Sequence, residues 1–103
     1  MTNLQSRLKN GEVLILDGAM GTELQRRGVS MHSIAWSAAA LLTHPEVVRH
    51  VHEDYIRVGA DVIITNSFST ARHALEVAGM GYRTVEINRR AVELAQEGGN
   101  ERM

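Results

Sequence analysis

Two stretches of the chain are apolar at every position. Val13-Leu14-Ile15-Leu16 ends in Asp17, and Val62-Ile63-Ile64 lies between Asp61 and Thr65. Neither alternates polar with apolar, so each predicts a strand buried on both faces, the kind found in parallel sheets. The remaining pattern has a helical period. Residues 2–9 predict a short helix: Leu4 and Leu8 share a face, Thr2 and Gln5 have capping-box spacing, and Gly11 follows as a stop. Residues 22–27 predict a second short helix closed by Gly28, and residues 36–42 a small-residue helix. Thr43 and Glu46 then have capping-box spacing, with Pro45 in the first turn of a longer helix. Its apolar stripe is Val47, Val48, Val51, Tyr55 and Val58, and Gly59 ends it. Residues 70–78 predict another helix, broken by Gly79-Met80-Gly81. Thr84 is expected to cap a last helix running to about residue 96, with a polar, frayed end from Gly98 onward.

The predicted order is helix–β–α–α–β–α–α. Two parallel strands joined through helices form a βαβ unit with a right-handed crossover. Two such strands alone leave unpaired edges and uncovered faces, so the pattern predicts the opening portion of a larger α/β domain. Length and composition add exclusions. The chain has 103 residues and no cysteine, which leaves no disulfide framework and no cysteine-ligated zinc within it. Eleven basic against twelve acidic residues give a net charge of -1, so nothing points to nucleic acid or an anionic membrane. The longest nearly apolar run, residues 34–42, falls far short of the ~20 residues that span a bilayer. The N-terminus has neither a basic start nor an apolar stretch, so a reduced, cytoplasmic setting is the expectation.

Candidate chemistry sits where the two apolar runs end. Asp17-Gly18-Ala19-Met20-Gly21-Thr22 places a carboxylate before two glycines that permit a tight turn. Asp17 can accept hydrogen bonds from an ammonium group. The N–H groups of the turn can converge on a carboxylate. That pairing suits a zwitterionic amino acid; the competing reading is that Asp17 merely caps the turn. The second run continues Asn66-Ser67-Phe68-Ser69-Thr70, where Asn66 and Ser67 offer donors and acceptors. There the plainer reading is a loop whose Ser69 or Thr70 caps the next helix. The glycine spacing matches neither the dinucleotide fingerprint nor a P-loop. His50 and His52 lie about 200° apart on a helix and do not converge, so a solvated face is expected for them. His44 falls at a helix start, and His32 and His73 read as loop and helix-surface residues. Trp36 reads as a packing anchor, and Arg26-Arg27 and Arg89-Arg90 as surface pairs.

These residues, taken together, resemble the homocysteine S-methyltransferase family. The carriers are residues 16–24, Trp36-Ser37, Pro45-Glu46-Val47-Val48, His52-Glu53-Asp54-Tyr55, residues 59–68 and Glu86-Ile87-Asn88-Arg89. The resemblance implies an α/β fold, namely the first two βα units of a truncated (β/α)8 TIM barrel. Residues 1–103 would then be the N-terminal part of a homocysteine-binding domain. It implies methyl transfer to the sulfur of homocysteine, giving methionine, with zinc activating the thiol. The family's zinc cysteines belong to later strands, so this chain is expected to hold no metal and no catalytic residue and to be inactive alone. Asp17 would hold the substrate ammonium, and Gly18, Met20 and Gly21 would form the carboxylate-binding turn. Asn66 and Ser67 would line the rim near the sulfur. The partners implied are homocysteine and a small-molecule or cobalamin methyl donor, of a kind these residues do not specify. The alternative is a non-catalytic remnant or binding module that self-associates through open strand edges.

Overall fold

The computed structural model describes residues 4–29, 36–67, 72–77 and 79–100. Thr2, His32, Ser69, Thr70 and the side chains of Trp36 and His73, to which the sequence assigned roles, lie outside what it describes. In chain order the helices are α1 (Leu4–Lys9), α2 (Gly21–Arg26), α3 (Ala40–Thr43), α4 (Pro45–Arg57), α5 (Arg72–Val77) and α6 (Thr84–Asn100). A single 3-10 turn, Trp36–Ala39, leads into α3, and another, Gly81–Arg83, leads into α6.

The principal packing is α4 against α6. Pro45 opens α4, where its missing N–H costs nothing, and Glu46 lies in the first turn. Val48, Val51 and His52 are its buried residues. From α6, Ile87, Ala91, Leu94 and Ala95 face inward at helical spacing. Leu24, Val29, Leu41 and Leu75 complete the core. Gly28 ends α2 with a φ of 92°, a left-handed conformation that favours glycine, and the Val29 N–H turns back to the Leu24 carbonyl at 3.0 Å. Gly59 does the same after α4, with a φ of 116° and the Ala60 N–H on the Tyr55 carbonyl at 3.0 Å.

The expected α/β architecture is not what forms. Among the described residues there is no strand, so the two βα units of a TIM barrel are corrected to a helical fold. The two apolar runs pair as a ladder at one isolated parallel bridge alone, Leu16 with Val62. The physical reason is the one that made the pattern problematic. With no further strand beside them and no cover on both faces, Val13, Ile15, Leu16 and Ile64 remain 79, 52, 59 and 57% exposed. Backbone bonds and two aspartate carboxylates hold the runs side by side: the Asp61 and Val62 N–H groups donate to the Ile15 carbonyl at 2.7 and 3.2 Å. The Asp61 carboxylate accepts the Ile15 N–H at 3.0 Å, and the Asp17 carboxylate accepts the Ile64 N–H at 3.0 Å. The Asp17 N–H also donates to the Val62 carbonyl at 3.0 Å. Arg7 of α1 joins this junction through Asp61 at 3.1 Å.

Other local expectations also change. Thr43 does not cap α4: its hydroxyl donates to the Ala39 carbonyl, and His44 occupies the cap position with its ring on the Thr43 hydroxyl and not on the helix. Val58 leaves the apolar stripe and is 81% exposed, because the helix has already ended at Arg57. Leu4 and Leu8 stay exposed on a helix that buries nothing. The last helix does not fray at Gly98 but continues to Asn100. Gly98 is buried against α4, where a side chain would not fit.

Candidate functional site

Asp17 follows directly from the Leu16 bridge. One oxygen, Oδ2, is committed to the Ile64 N–H. The other, Oδ1, is buried and has no hydrogen-bond partner among the described residues. Such an acceptor calls for a donor, because an unmet polar group in a low-dielectric setting is costly. The Asp17 hydrogen bond to Ile64 ties this carboxylate to the segment that carries Thr65, Asn66 and Ser67. Asn66 is buried and Ser67 half-buried. The Thr65 and Ser67 hydroxyls lie 2.6 Å apart, and the Ser67 N–H returns to the Thr65 carbonyl at 2.8 Å. The ends of both apolar runs are therefore joined through the Asp17–Ile64 bond, with Asn66 and Ser67 two and three residues further along the second run.

The turn after Asp17 passes over α4. The Tyr55 hydroxyl donates to the Ala19 carbonyl at 2.7 Å. Gly18 lies against the same ring: a Cβ there would stand 2.8 Å from the hydroxyl oxygen. Met20 packs on the core, and Gly21 opens α2. Sequence reasoning placed Tyr55 in the apolar stripe and missed its hydroxyl. A tyrosine, rather than phenylalanine, on a stripe facing a glycine turn was the available signal.

Charge pairing steadies the far end of α2. Arg27 bonds Glu23 at 2.9 Å and Asp54 of α4 at 2.8 Å, so this arginine bridges two helices instead of sitting in a surface pair. Arg26 also pairs with Glu23. The Arg26 and then the Arg27 hydrogen bonds hold the Glu23 carboxyl down to about 2.

His52 overturns the expectation of a solvated face. It is fully buried, and neither ring nitrogen has a hydrogen-bond partner among the described residues. His50, about 200° around the axis, is exposed. Burial lowers the His52 pKa below 6.5, and the nearby Asp17 charge opposes this with a smaller effect. The native state therefore binds this proton less readily than the unfolded chain. Stability is expected to be fully present above 6.5 and to be lost as pH falls from there through the lowered native value. Urea unfolding at a series of pH values should show this loss, and His52→Leu should flatten it across that window. An equally steep profile in the variant would assign the effect elsewhere.

Among the described residues no three histidine, aspartate or glutamate side chains gather as a metal site. With no cysteine in the chain either, the donor set here does not fit a zinc ion. No described helix is long and apolar enough to cross a membrane.

Fold and site together describe a polar turn carried on packed helices, with one carboxylate oxygen unmet among the described residues. The chain belongs to the homocysteine S-methyltransferase family, whose model matches residues 14–103. It is 40% identical over 88 residues to a selenocysteine methyltransferase of Astragalus bisulcatus, covering 84% of this chain and 26% of that protein. It is 36% identical over 95 residues to homocysteine S-methyltransferase YbgG of Bacillus subtilis, covering 92% of this chain and 29% of that protein. The crystal structure of the metallated homocysteine methyltransferase MmuM from Escherichia coli superposes with a TM-score of 0.86 at 35% identity. That match covers 95% of this chain and 34% of the solved one. The chain thus spans roughly a quarter to a third of these relatives.

Proposed function

We propose that this chain carries the amino-acid-binding portion of a homocysteine S-methyltransferase. Asp17 takes the substrate ammonium, and the Met20 and Gly21 amides take its carboxylate. Gly18 lets the turn lie close to α4, while Asn66 and Ser67 flank the side chain that leads to the sulfur. The observation that carries this reading is the buried Asp17 Oδ1 with no donor among the described residues, next to the glycine turn, in a chain of this family.

In the reaction, the thiol proton passes to solvent and a sulfur lone pair forms the new S–CH3 bond. The donor atom keeps the electron pair of the bond that breaks, leaving methionine and a demethylated donor. The residues here bind and orient the amino acid; the thiol-activating zinc of the family reading finds no ligand set among them. We place the activity in the cytoplasm, where a thiol substrate stays reduced.

The test is a titration of the 103-residue chain with L-homocysteine, followed at the amides of residues 17–21. Saturable shifts are expected, with N-acetyl-homocysteine, which lacks the ammonium, producing none. Equal binding of both compounds would remove Asp17 from the role. The same preparation is expected to form no methionine from any methyl donor.

A further inference from the structure

We propose that Tyr55 is the positioning residue of the 17–21 turn, setting the direction of the Met20 N–H through the peptide plane it shares with the Ala19 carbonyl. This rests on the reading that the turn receives an amino acid.

The Tyr55 hydroxyl donates to the Ala19 carbonyl at 2.7 Å. A trans peptide is a rigid plane in which C=O and N–H point in opposite directions. Pinning the Ala19 carbonyl toward α4 therefore turns the Met20 N–H away from α4. Rotation of that plane is further limited by Gly18. A Cβ there would come within 2.8 Å of the Tyr55 oxygen and 3.2 Å of Cε1, so the backbone is already in contact with the ring. On the opposite side the turn is anchored by the Asp17 N–H on the Val62 carbonyl and by Asp17 Oδ2 on the Ile64 N–H, each at 3.0 Å. The neighbouring Asp54 grips Arg27 just past the end of α2. Two adjacent residues of one helix thus hold both ends of the segment from Ala19 to Arg27. Burial, and then the charges of Glu23 and Asp17, raise the Tyr55 hydroxyl above its ordinary 10.0, so it remains a donor at neutral pH.

Tyr55→Phe keeps the ring and removes the donor. Without ligand, the amide resonances of Ala19, Met20 and Gly21 are expected to move and exchange faster, while those of Ile87 and Leu94 in the core stay in place. With L-homocysteine, affinity is expected to fall about tenfold, the weight of one hydrogen bond, at little change in Tm. Unchanged turn amides, or shifts spread evenly through the core, would overturn the proposal. Should the wild-type chain bind no homocysteine while the Met20 amide still moves in Tyr55→Phe, the positioning stands and the assigned ligand falls. Gly18→Ala supplies a second variant, since its Cβ pushes on the hydroxyl from the turn side; an unmoved Met20 amide there would also count against the proposal.

Discussion

Asp17→Ala should cost this chain nearly all of its affinity for homocysteine. A hydrogen bond to a charged group contributes about 1.5–3 kcal/mol, which is roughly ten- to a hundredfold in binding. The substitution also removes the acceptor of the Ile64 N–H, so the junction of the two apolar runs should loosen as well. Asp17→Asn separates the two effects. Its amide oxygen can still accept from Ile64, but it offers the ammonium no charge. The expected pattern is a folded Asn variant with the same loss of homocysteine affinity as Ala, and an Ala variant that is in addition less stable. Calorimetric titration and urea unfolding of both proteins provide the readings. An Asn variant that binds as well as wild type would refute the charge role. In a longer protein that carries this segment and turns over, the same substitution should appear as a markedly raised KM.

The second large effect concerns two neighbouring glycines with opposite expected outcomes. At Gly98 a Cβ would lie 2.8 Å from the His52 Cβ, 3.2 Å from the Arg49 carbonyl and 3.4 Å from the Glu53 nitrogen. Most of that is the backbone of α4, which cannot swing aside as a long side chain can. At Gly99 the nearest atom is the tip of Ile56, at 3.9 Å, an ordinary contact. Replacing glycine by alanine inside a helix gains about 1 kcal/mol. Gly99→Ala should therefore raise stability by up to that amount. Gly98→Ala must offset the same gain against overpacking of about 1–3 kcal/mol, and Gly98→Val adds further bulk against the α4 backbone. We expect Gly98→Val to lower Tm by about 10 °C or more in a domain of this size. Equal melting temperatures for the Gly98 and Gly99 variants would show that α4 and α6 do not meet as described.

Much of the helical framework was legible in the sequence because its signals are local. Pro45, the valine stripe and Gly59 bracket α4, and Gly28 closes α2. The turn at Asp17 was legible for the same reason: a carboxylate and two glycines at short spacing need no distant partner to be noticed. What the pattern could not supply was pairing. A continuous apolar run states a preference for burial between neighbours, but Val13 to Leu16 find only one bridge. His52 failed for a related reason. Its burial depends on α6 approaching closely, which depends on Gly98, and that glycine pair read as a loose end. Tyr55 was assigned to the right face, yet the target of its hydroxyl is a carbonyl 36 positions earlier in the chain.

The crossed aspartates carry a consequence for changing what this segment recognises. Asp17 has two oxygens and two separate duties: Oδ2 sets how the first apolar run aligns with the second, and Oδ1 awaits a donor. If Asp17 takes the substrate ammonium as proposed, selectivity and alignment fall to a single side chain. A substitution that altered ligand choice at position 17 would shift the stretch leading to Asn66 and Ser67 with it. Evolution or engineering toward a different amino acid at position 17 should therefore carry a structural cost that a change of ligand preference alone would not.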